Sequence, residues 1–441
     1  MTEATKSIPI ENTWDFTTQA ELSELSRQLD FEENHFYWLK KFLKFVFLCP
    51  VQPKIIQKSG RAMMHSTFIF SITVTCTKAY KELFVNEIYP PMLAELAFQL
   101  IVLSTTYIIY LQAIGMEKEV RIRIQSLKNP NDPNRMCEII TIDWLGINDP
   151  EEKDIMRVVC ERGSRLIFIH FGVLLPCFMG YAFAPVALPY ILNRYLPENK
   201  TLKRSLCVHV EVFIDQDKYF NFILCFVIHM IMLVLLITCA LDLAYTSCIT
   251  YIMGKIIWIG RVFEKLNEVN IYDQSPSLKQ KANIYIHQTV IGLIKRHQKC
   301  LDFSQTLNDA CSPKFIIVVA SLVILLSLSG SMAVVELSYD VSSAAKMTVA
   351  FTVLLVIVLV MCYPSQLMLD ASHDIYFKCY SSKWYEYPVR TRRLLILMMI
   401  KAAEPCCMTI GPTTPLNFNT AGKIIKTALS YVTTLVSLCA L

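Results

Sequence analysis

The sequence predicts an all-α membrane protein with seven transmembrane helices, an intracellular N-terminus and an extracellular C-terminus. The first supporting observation is composition: 54% of the residues are hydrophobic, only 18% are charged, and the mean hydropathy is +0.41. The second is a set of seven long apolar stretches, since about 20 apolar residues in a helix cross the hydrocarbon layer of a membrane. The third is a one-sided distribution of Lys and Arg between these stretches.

The distribution of basic residues gives the orientation. Of the 42 Lys and Arg residues, 32 lie in the N-terminal segment and in the second, fourth and sixth loops, whereas 8 lie in the other loops. Because cytoplasmic loops carry the excess of basic residues, the N-terminus is predicted inside and the C-terminus outside. A G-protein-coupled receptor has the opposite orientation. The predicted spans are 62–77, 92–114, 166–193, 219–254, 315–335, 347–369 and 416–441.

The chain is predicted to divide where these spans begin and end. In the cytoplasmic N-terminal segment 1–61, the stretch from Tyr37 to Pro50 is either an amphipathic helix at the inner membrane interface or an ordinary anchor before the first span. The other segments are four spans in 62–254, a cytoplasmic helical anchor in 255–314, two spans in 315–369, a further anchor segment in 370–415 and the seventh helix in 416–441.

The residues give no support to several function classes. The net charge of +5 resides in the predicted cytoplasmic loops, where orientation and anionic lipid account for it, so no nucleic-acid partner is implied. His373–Asp374 has no nucleophile beside it, and Cys406–Cys407 lacks a second pair of zinc ligands. We therefore expect no enzyme activity, no metal and no cofactor. In the outer loops, Asn199 begins the single Asn-x-Ser/Thr sequon, and Cys207 either pairs with Cys439 or stays free.

The fourth span is longer than a membrane requires. From Tyr219 to Gly254 there are 36 residues with one formal charge, Asp242. A helix of that length reaches ~54 Å, so its inner half is expected to extend into the cytoplasm. An apolar face is predicted on the segment before the fifth span, and with the inner extensions it would form a cytoplasmic bundle suited to subunit association; its residues are Ile284, Ile291, Ile294 and Leu301.

The last span carries a polar stripe. One side of the predicted helix holds a lysine and five hydroxyls, namely Thr420, Lys423, Thr427, Ser430, Thr434 and Ser437. The opposite side is apolar and includes Val432. Such a stripe faces either another helix or water. Packing between helices is one interpretation; a pore formed by several copies, with Leu438 as a hydrophobic constriction near its outer end, is the other.

The C-terminal hundred residues resemble the insect odorant receptor family. The resemblance lies in Tyr380 to Trp384, Arg392 to Pro405, Pro415 to Asn417 and Thr427 to Leu435, and the length and inverted topology also match. The family's pattern puts gate positions three and seven residues after Tyr431, which are Thr434 and Leu438. The resemblance implies a ligand-gated cation channel, assembled as a heterotetramer with a shared co-receptor, in the plasma membrane of olfactory sensory neuron dendrites.

Departures from the co-receptor pattern identify the kind of subunit. The co-receptor has Val where this chain has Thr434, so we interpret the chain as a ligand-tuned odorant receptor subunit. A gustatory receptor subunit is the nearest alternative, although Ser437 and Leu438 replace the Gln-Phe ending usual there. G-protein-coupled receptors and secondary transporters are more distant alternatives, since Asp-Arg-Tyr, Asn-Pro-x-x-Tyr and inverted repeats are absent from the sequence.

The resemblance places the odorant in the outer halves of the second, third, fourth and sixth spans. A small volatile ligand offers few polar atoms, so aromatic, Met and Leu side chains would bind it mainly by burial. Tyr181 would supply a hydroxyl for orientation. Glu95 and His229 are further polar groups that either contact ligand or pair internally. The candidate ligand-binding residues are Met92, Leu96, Phe178, Tyr181, Phe183, Phe222, Phe226 and Phe351.

Overall fold

The protein is mostly helical. The computed structural model describes residues 37–49, 52–84, 90–126, 147, 149–195, 206–208, 218–268 and 276–439. Asn199 lies outside these residues, as does the side chain of Cys439. The helices are α1 (Tyr37–Phe45), α2 (Lys54–Phe84), α3 (Pro90–Ser126), α4 (Pro150–Leu192), α5 (Phe220–Leu266), α6 (Pro276–Val335), α7 (Val341–Tyr380), α8 (Val389–Ala402) and α9 (Phe418–Cys439).

Each predicted span corresponds to one long helix, from α2 for the first span to α9 for the seventh, although 166–193, 219–254 and 416–441 begin or end outside the helix bounds. Within the described part of the chain, five helices, α3 to α7, are long and apolar enough to cross a membrane. The helices α2 and α9 fall short of that criterion because Lys, Ser and Thr side chains interrupt their apolar residues. Both still pack against the others, α2 along α3 and α9 along α6 and α7.

Two helices, α5 and α6, continue farthest beyond the length of a membrane span. The helix α5 has 47 residues and α6 has 60, so they reach ~70 Å and ~90 Å. Their extensions pack with α8 and the end of α7 into one apolar core that is continuous with the membrane part. The predicted apolar face of α6 is wrong at Ile284, which is 51% exposed, whereas its Ile294 and Leu301 pack partly buried against this core.

Polar contacts fix the extended parts of α5 and α6. Glu152, at the start of α4, is buried and accepts hydrogen bonds from Lys255 Nζ at 2.7 Å and Arg296 Nη1 at 2.8 Å. The Arg296 guanidinium also lies over the Trp258 ring, 4.4 Å from its centroid. The Tyr387 hydroxyl donates to the carbonyl of α5 at Leu266, and burial raises the pKa of Tyr387 to about 12. These contacts join α4, α5, α6 and the segment after α7.

A short hairpin leads into the last helix. Its strands, Thr409–Ile410 and Thr414–Pro415, pair antiparallel around Gly411, whose φ of 66° suits a glycine. Asn308 of α6 accepts a hydrogen bond from the Thr409 amide at 2.7 Å. The hairpin thereby fixes where α9 begins relative to α6. Beside it, burial raises the pKa of the Cys406 and Cys407 thiols.

Candidate functional site

An ion pair lies buried near the first residues of α3 and α7. Lys346 of α7 donates from Nζ to Glu95 of α3 at 2.8 Å, and both side chains are 2% exposed. Glu336, in the turn before α7, is also buried, and Glu95 lies within electrostatic range of both Glu336 and Tyr181. The Tyr181 hydroxyl donates to the Cys207 carbonyl at 3.4 Å. Glu95 therefore pairs internally, within a polar group that touches the expected ligand region.

Two of the candidate ligand residues meet beside this polar group. Phe178 and Tyr181 of α4 pack against one buried apolar cluster, which contains Cys207, Ile223 and Val227. Leu96 is buried one residue after Glu95, and Met92 is half-buried at the same end of α3. Phe178 and Tyr181 are thus the candidate residues that the structure brings together beside Cys207, while Met92 and Leu96 flank Glu95 on α3.

The other candidate residues lie apart from that region. Phe222 is 73% exposed on α5, and Phe183 is also exposed on α4. Phe226 packs edge-on against Phe70 of α2, with ring centroids 5.5 Å apart. Phe351 lies deeper in α7, against the α6 backbone at Gly330. His229 is exposed on α5 as well, so it does not point into the bundle.

Gly330 marks a junction of three helices. A Cβ at this position would lie 2.7 Å from Val432 Cγ2 of α9 and 3.2 Å from Phe351 Cε2 of α7. One turn earlier on α6, Ser327 Oγ donates to the Ala428 carbonyl of α9 at 3.5 Å. Small residues on α6 thus let α9 approach closely. The apolar side of α9, which carries Val432, is its packing side.

The polar stripe of α9 lies on the open side of that helix. Thr427, Ser430, Thr434 and Ser437 are all exposed, as is Leu438. Ser430, Thr434 and Ser437 donate to carbonyls one turn earlier, at 2.9–3.1 Å, which leaves their oxygens free to accept from outside. Thr420 departs from the stripe, because it is buried and donates to the Pro415 carbonyl. Apart from Thr420, the side chains of the stripe are exposed in the described part of the chain.

A shallow concavity of about 420 Å³ runs along the same helix. It is bordered by Gly422, Ile425, Lys426, Leu429, Ser430 and Thr433. Its borders are polar on the stripe side and apolar on the other, as in a surface that meets both water and a neighbouring helix.

Sequence reasoning missed the basic partner of Glu95. Lys346 is the single basic residue assigned to the third outer loop, yet it lies five residues inside α7. A lysine within an apolar helix was the available indication of an internal partner. Within the described residues, no group of three or more His, Cys, Asp or Glu side chains is placed to hold a metal ion. The described Cys207 is buried and free.

Comparisons of the sequence and of the fold with known proteins all match odorant receptors. A family model described as 7tm Odorant receptor matches residues 140–429. Putative odorant receptor 92a of Drosophila melanogaster is 22% identical over 199 residues, which are 43% of this chain and 46% of that one. The chain thus aligns with just under half the length of this curated relative.

The fold also matches solved structures. The insect olfactory receptor OR5 from Machilis hrabei, in complex with eugenol, superposes with a TM-score of 0.68 at 11% identity. The structure of the same receptor described without eugenol gives 0.67 at 12% identity. Both comparisons cover 93% of this chain and 100% of the other. Identities this low show a shared fold.

Proposed function

The chain belongs to the 7tm odorant receptor family of insects, and on that premise we propose that it is a ligand-tuned subunit of an odorant-gated, non-selective cation channel. Members of this family are multi-pass membrane receptors, not enzymes. The proposed partner is the odorant receptor co-receptor, in a heterotetramer, with membrane lipid around it. The proposed location is the plasma membrane of olfactory sensory neuron dendrites. The family that matches is that of odorant receptors, which favours this function over a gustatory receptor subunit.

The observation that carries the channel proposal is the open stripe on α9. Thr427, Ser430, Thr434 and Ser437 face outward from a helix whose other side packs on α6 and α7. A row of hydroxyls is costly against hydrocarbon, but it suits a water-filled path between subunits around a symmetry axis. Leu438 would be the apolar constriction at the outer end of this path. We propose these five residues as pore and gate.

The proposed topology has the N-terminus in the cytoplasm and the C-terminus outside. It follows from the distribution of basic residues, and the lengths of α5 and α6 support it, since their extensions lie on the side with more Lys and Arg. The proposed division into a cytoplasmic N-terminal segment, membrane spans and two anchor segments follows from the same topology. Asn199 would then be accessible to glycosylation.

The proposed ligand region is narrower than the sequence alone suggests. Met92, Leu96, Phe178 and Tyr181 surround the outer ends of α3 and α4, next to the Lys346–Glu95 pair. Burial of a volatile ligand against such side chains yields about 25 cal/mol per Å² of apolar area. The Tyr181 hydroxyl is placed to orient a polar atom. We propose Phe351 as a link between this region and α9, since it contacts Gly330 beside Val432.

The testing experiment is to record current from cells that express this chain, the co-receptor, or both, while a panel of volatile odorants is applied. We expect some odorants to evoke cation current only when both chains are present. Odorant responses in cells with both chains that match those of the co-receptor alone would overturn the proposal. Current that persists with a G-protein blocker in the pipette would separate a channel from a coupled receptor.

A further inference from the structure

Three ionisable side chains from three helices meet at a second place in the bundle. His170 of α4 lies with Nε2 3.7 Å from Asp242 Oδ2 of α5, and Lys314 of α6 lies with Nζ 3.9 Å from Asp242 Oδ1. Both separations exceed hydrogen-bond length, and both suit a bridging water molecule. Asp242 thus stands between a permanent cation and a histidine, in direct hydrogen-bond contact with neither.

A small cavity adjoins this group. Its volume is about 60 Å³, enough for a few water molecules. Asp242 and Lys314 line it together with Thr106 and Thr238, and apolar side chains of α6 and α7 close it. The two threonine hydroxyls donate to carbonyls of their own helices, so their hydrogens are not available to the Asp242 carboxylate. The cavity is therefore polar on one side, with acceptors that water can satisfy.

His170 supplies the independent sign of a ligand. It is 2% exposed, and neither ring nitrogen has a hydrogen-bond partner among the described residues. Buried polar atoms without partners are rare and call for a physical explanation, most often water or an ion. Water beside the ring could supply the missing hydrogen bonds and could also deliver a proton to it.

All three side chains lie at one depth. His170, Asp242 and Lys314 are 22, 22 and 21 residues from the outer ends of their helices at Leu192, Phe220 and Val335. Those separations correspond to ~33 Å of helix, about the thickness of the hydrocarbon layer. In the topology proposed above, on which this step rests, the group lies at the cytoplasmic face, far from both the odorant region and the outer constriction.

We propose that His170, Asp242 and Lys314 form a hydrated proton-binding site through which cytoplasmic acid regulates the channel. At neutral pH the ring is uncharged and Asp242 is shared with Lys314 through water. On acidification a proton passes from cytoplasmic water to the unprotonated nitrogen of His170. The imidazolium then draws Asp242 toward α4 and away from Lys314, which weakens the link between α5 and α6. Because α9 packs on α6, the change reaches the pore helix.

Few other charged groups lie near His170 among the described residues. On α5, Cys239 lies within electrostatic range of Asp242, as does Tyr245. The membrane part of α7, from Met347 to Leu369, carries no charged residue. The helix α1 reaches this area through Phe42, which packs on Phe171, and its described lysines Lys41 and Lys44 are exposed. Asp242 is thus the acidic group nearest to the ring among the described residues.

The test uses inside-out patches from cells that express the full chain with the co-receptor. The odorant concentration for half-maximal current is measured while cytoplasmic pH falls from about 7.5 to about 5.5, the range in which histidine changes charge. We expect a shift of roughly fivefold or more, the lower end of typical coupling between two sites. The shift should disappear in His170→Gln and persist in His229→Gln, whose ring is exposed on α5.

Lys314→Met keeps the test decisive if His170→Gln fails to assemble. Without this cation, the Asp242 carboxylate interacts only with His170 and favours the charged ring more strongly. The midpoint of the pH effect should therefore move up by about 0.5 pH unit or more. Wild-type pH dependence retained in His170→Gln, or an unmoved midpoint in Lys314→Met, would overturn the proposal. The purified chain adds a measurement that needs no current: melting temperatures of wild type and His170→Gln should diverge as pH falls, and parallel curves would also overturn it.

Discussion

Lys346 Nζ lies 2.8 Å from each carboxylate oxygen of Glu95, although 251 residues separate the two in the chain. The pair joins α3 to α7 near the first residues of both helices, within electrostatic range of Tyr181. A buried ion pair roughly balances its own desolvation, but either member without the other is a buried unpaired charge. The pair therefore acts mainly as a constraint on how α3 and α7 meet.

Single and double substitutions should separate these effects. Lys346→Met leaves the Glu95 carboxylate without its lysine and should lower the free energy of unfolding by about 3–5 kcal/mol. Glu95→Gln together with Lys346→Met removes both charges and should cost clearly less. The measurement is the thermal stability of the purified chain in detergent. A double variant as unstable as the single one would show that the pair is net stabilising in itself.

The ligand region predicts a contrast between two aromatic residues. Tyr181→Phe removes a hydroxyl and leaves the ring, so odorants with a polar atom should lose potency by roughly tenfold while wholly apolar ones keep theirs. Concentration–response curves for both odorant classes measure this. Phe222→Ala is the matched control, because that ring is exposed and should leave every potency unchanged. If Phe222→Ala changes ligand ranking and Tyr181→Phe does not, the ligand lies elsewhere.

The positions of the helices were predictable because hydropathy over about 20 residues reflects membrane thickness directly. The full lengths of the helices were less predictable. No local sequence signal ends α5 at Gly254, and the helix continues to Leu266. The exposure of Ile284 on α6 was also missed. Ile284 and Ile291 repeat with helical spacing as well as Ile286 and Val290 do, and only the packing partners decide which face is buried.

The candidate site was predictable in part for related reasons. The stripe on α9 was readable because hydroxyls at helical spacing are distinctive, and Thr434 and Ser437 do share the open side. The exposure of Phe222 was not predictable, since an aromatic residue in a membrane helix suits lipid as well as a protein interior. The Glu95–Lys346 pair depends on a contact between distant parts of the chain, and no local sequence pattern predicts such a contact.

The three-helix junction predicts that Gly330 tolerates no side chain. Gly330→Ala would place Cβ 2.7 Å from Val432 and 3.2 Å from Phe351, and the stiff Val432 side chain has little room to rotate. We expect a loss of about 1–3 kcal/mol in stability and a shifted odorant potency, since α6, α7 and α9 must separate. Gly172→Ala is the control: nothing lies within 4 Å there, and alanine in a helix should be neutral or slightly stabilising.

The topology predicts how tags are exposed. A tag after Leu441 should be stained on intact cells, whereas a tag before Met1 should be stained only after permeabilisation. Glycosidase should increase the mobility of wild type and leave Asn199→Gln unchanged. The reverse staining pattern would overturn the orientation and, with it, the cytoplasmic assignment of the α5 and α6 extensions.

The pore proposal makes the sharpest prediction, because the exposure of Thr434 and the packing of Val432 lie on opposite sides of one helix. In a background lacking Cys439, Thr434→Cys should react with a small charged thiol reagent faster in odorant than without it. Val432→Cys should stay protected, since its side chain packs against Gly330. The modification rate, followed through the current, measures both.

The size of the effect matters as much as its presence. The co-receptor would contribute its own pore helices, so modification at position 434 should change the current or the ion preference only partly. Ser437→Cys, on the same side and nearer the outer constriction at Leu438, should react at least as fast from outside. Equal, odorant-insensitive labelling at positions 432 and 434 would mean that the hydroxyls meet another helix and that this subunit does not line the pore. In that case the stripe would instead be a packing surface between subunits, and substitutions along it would lower assembly with the co-receptor without altering ion preference.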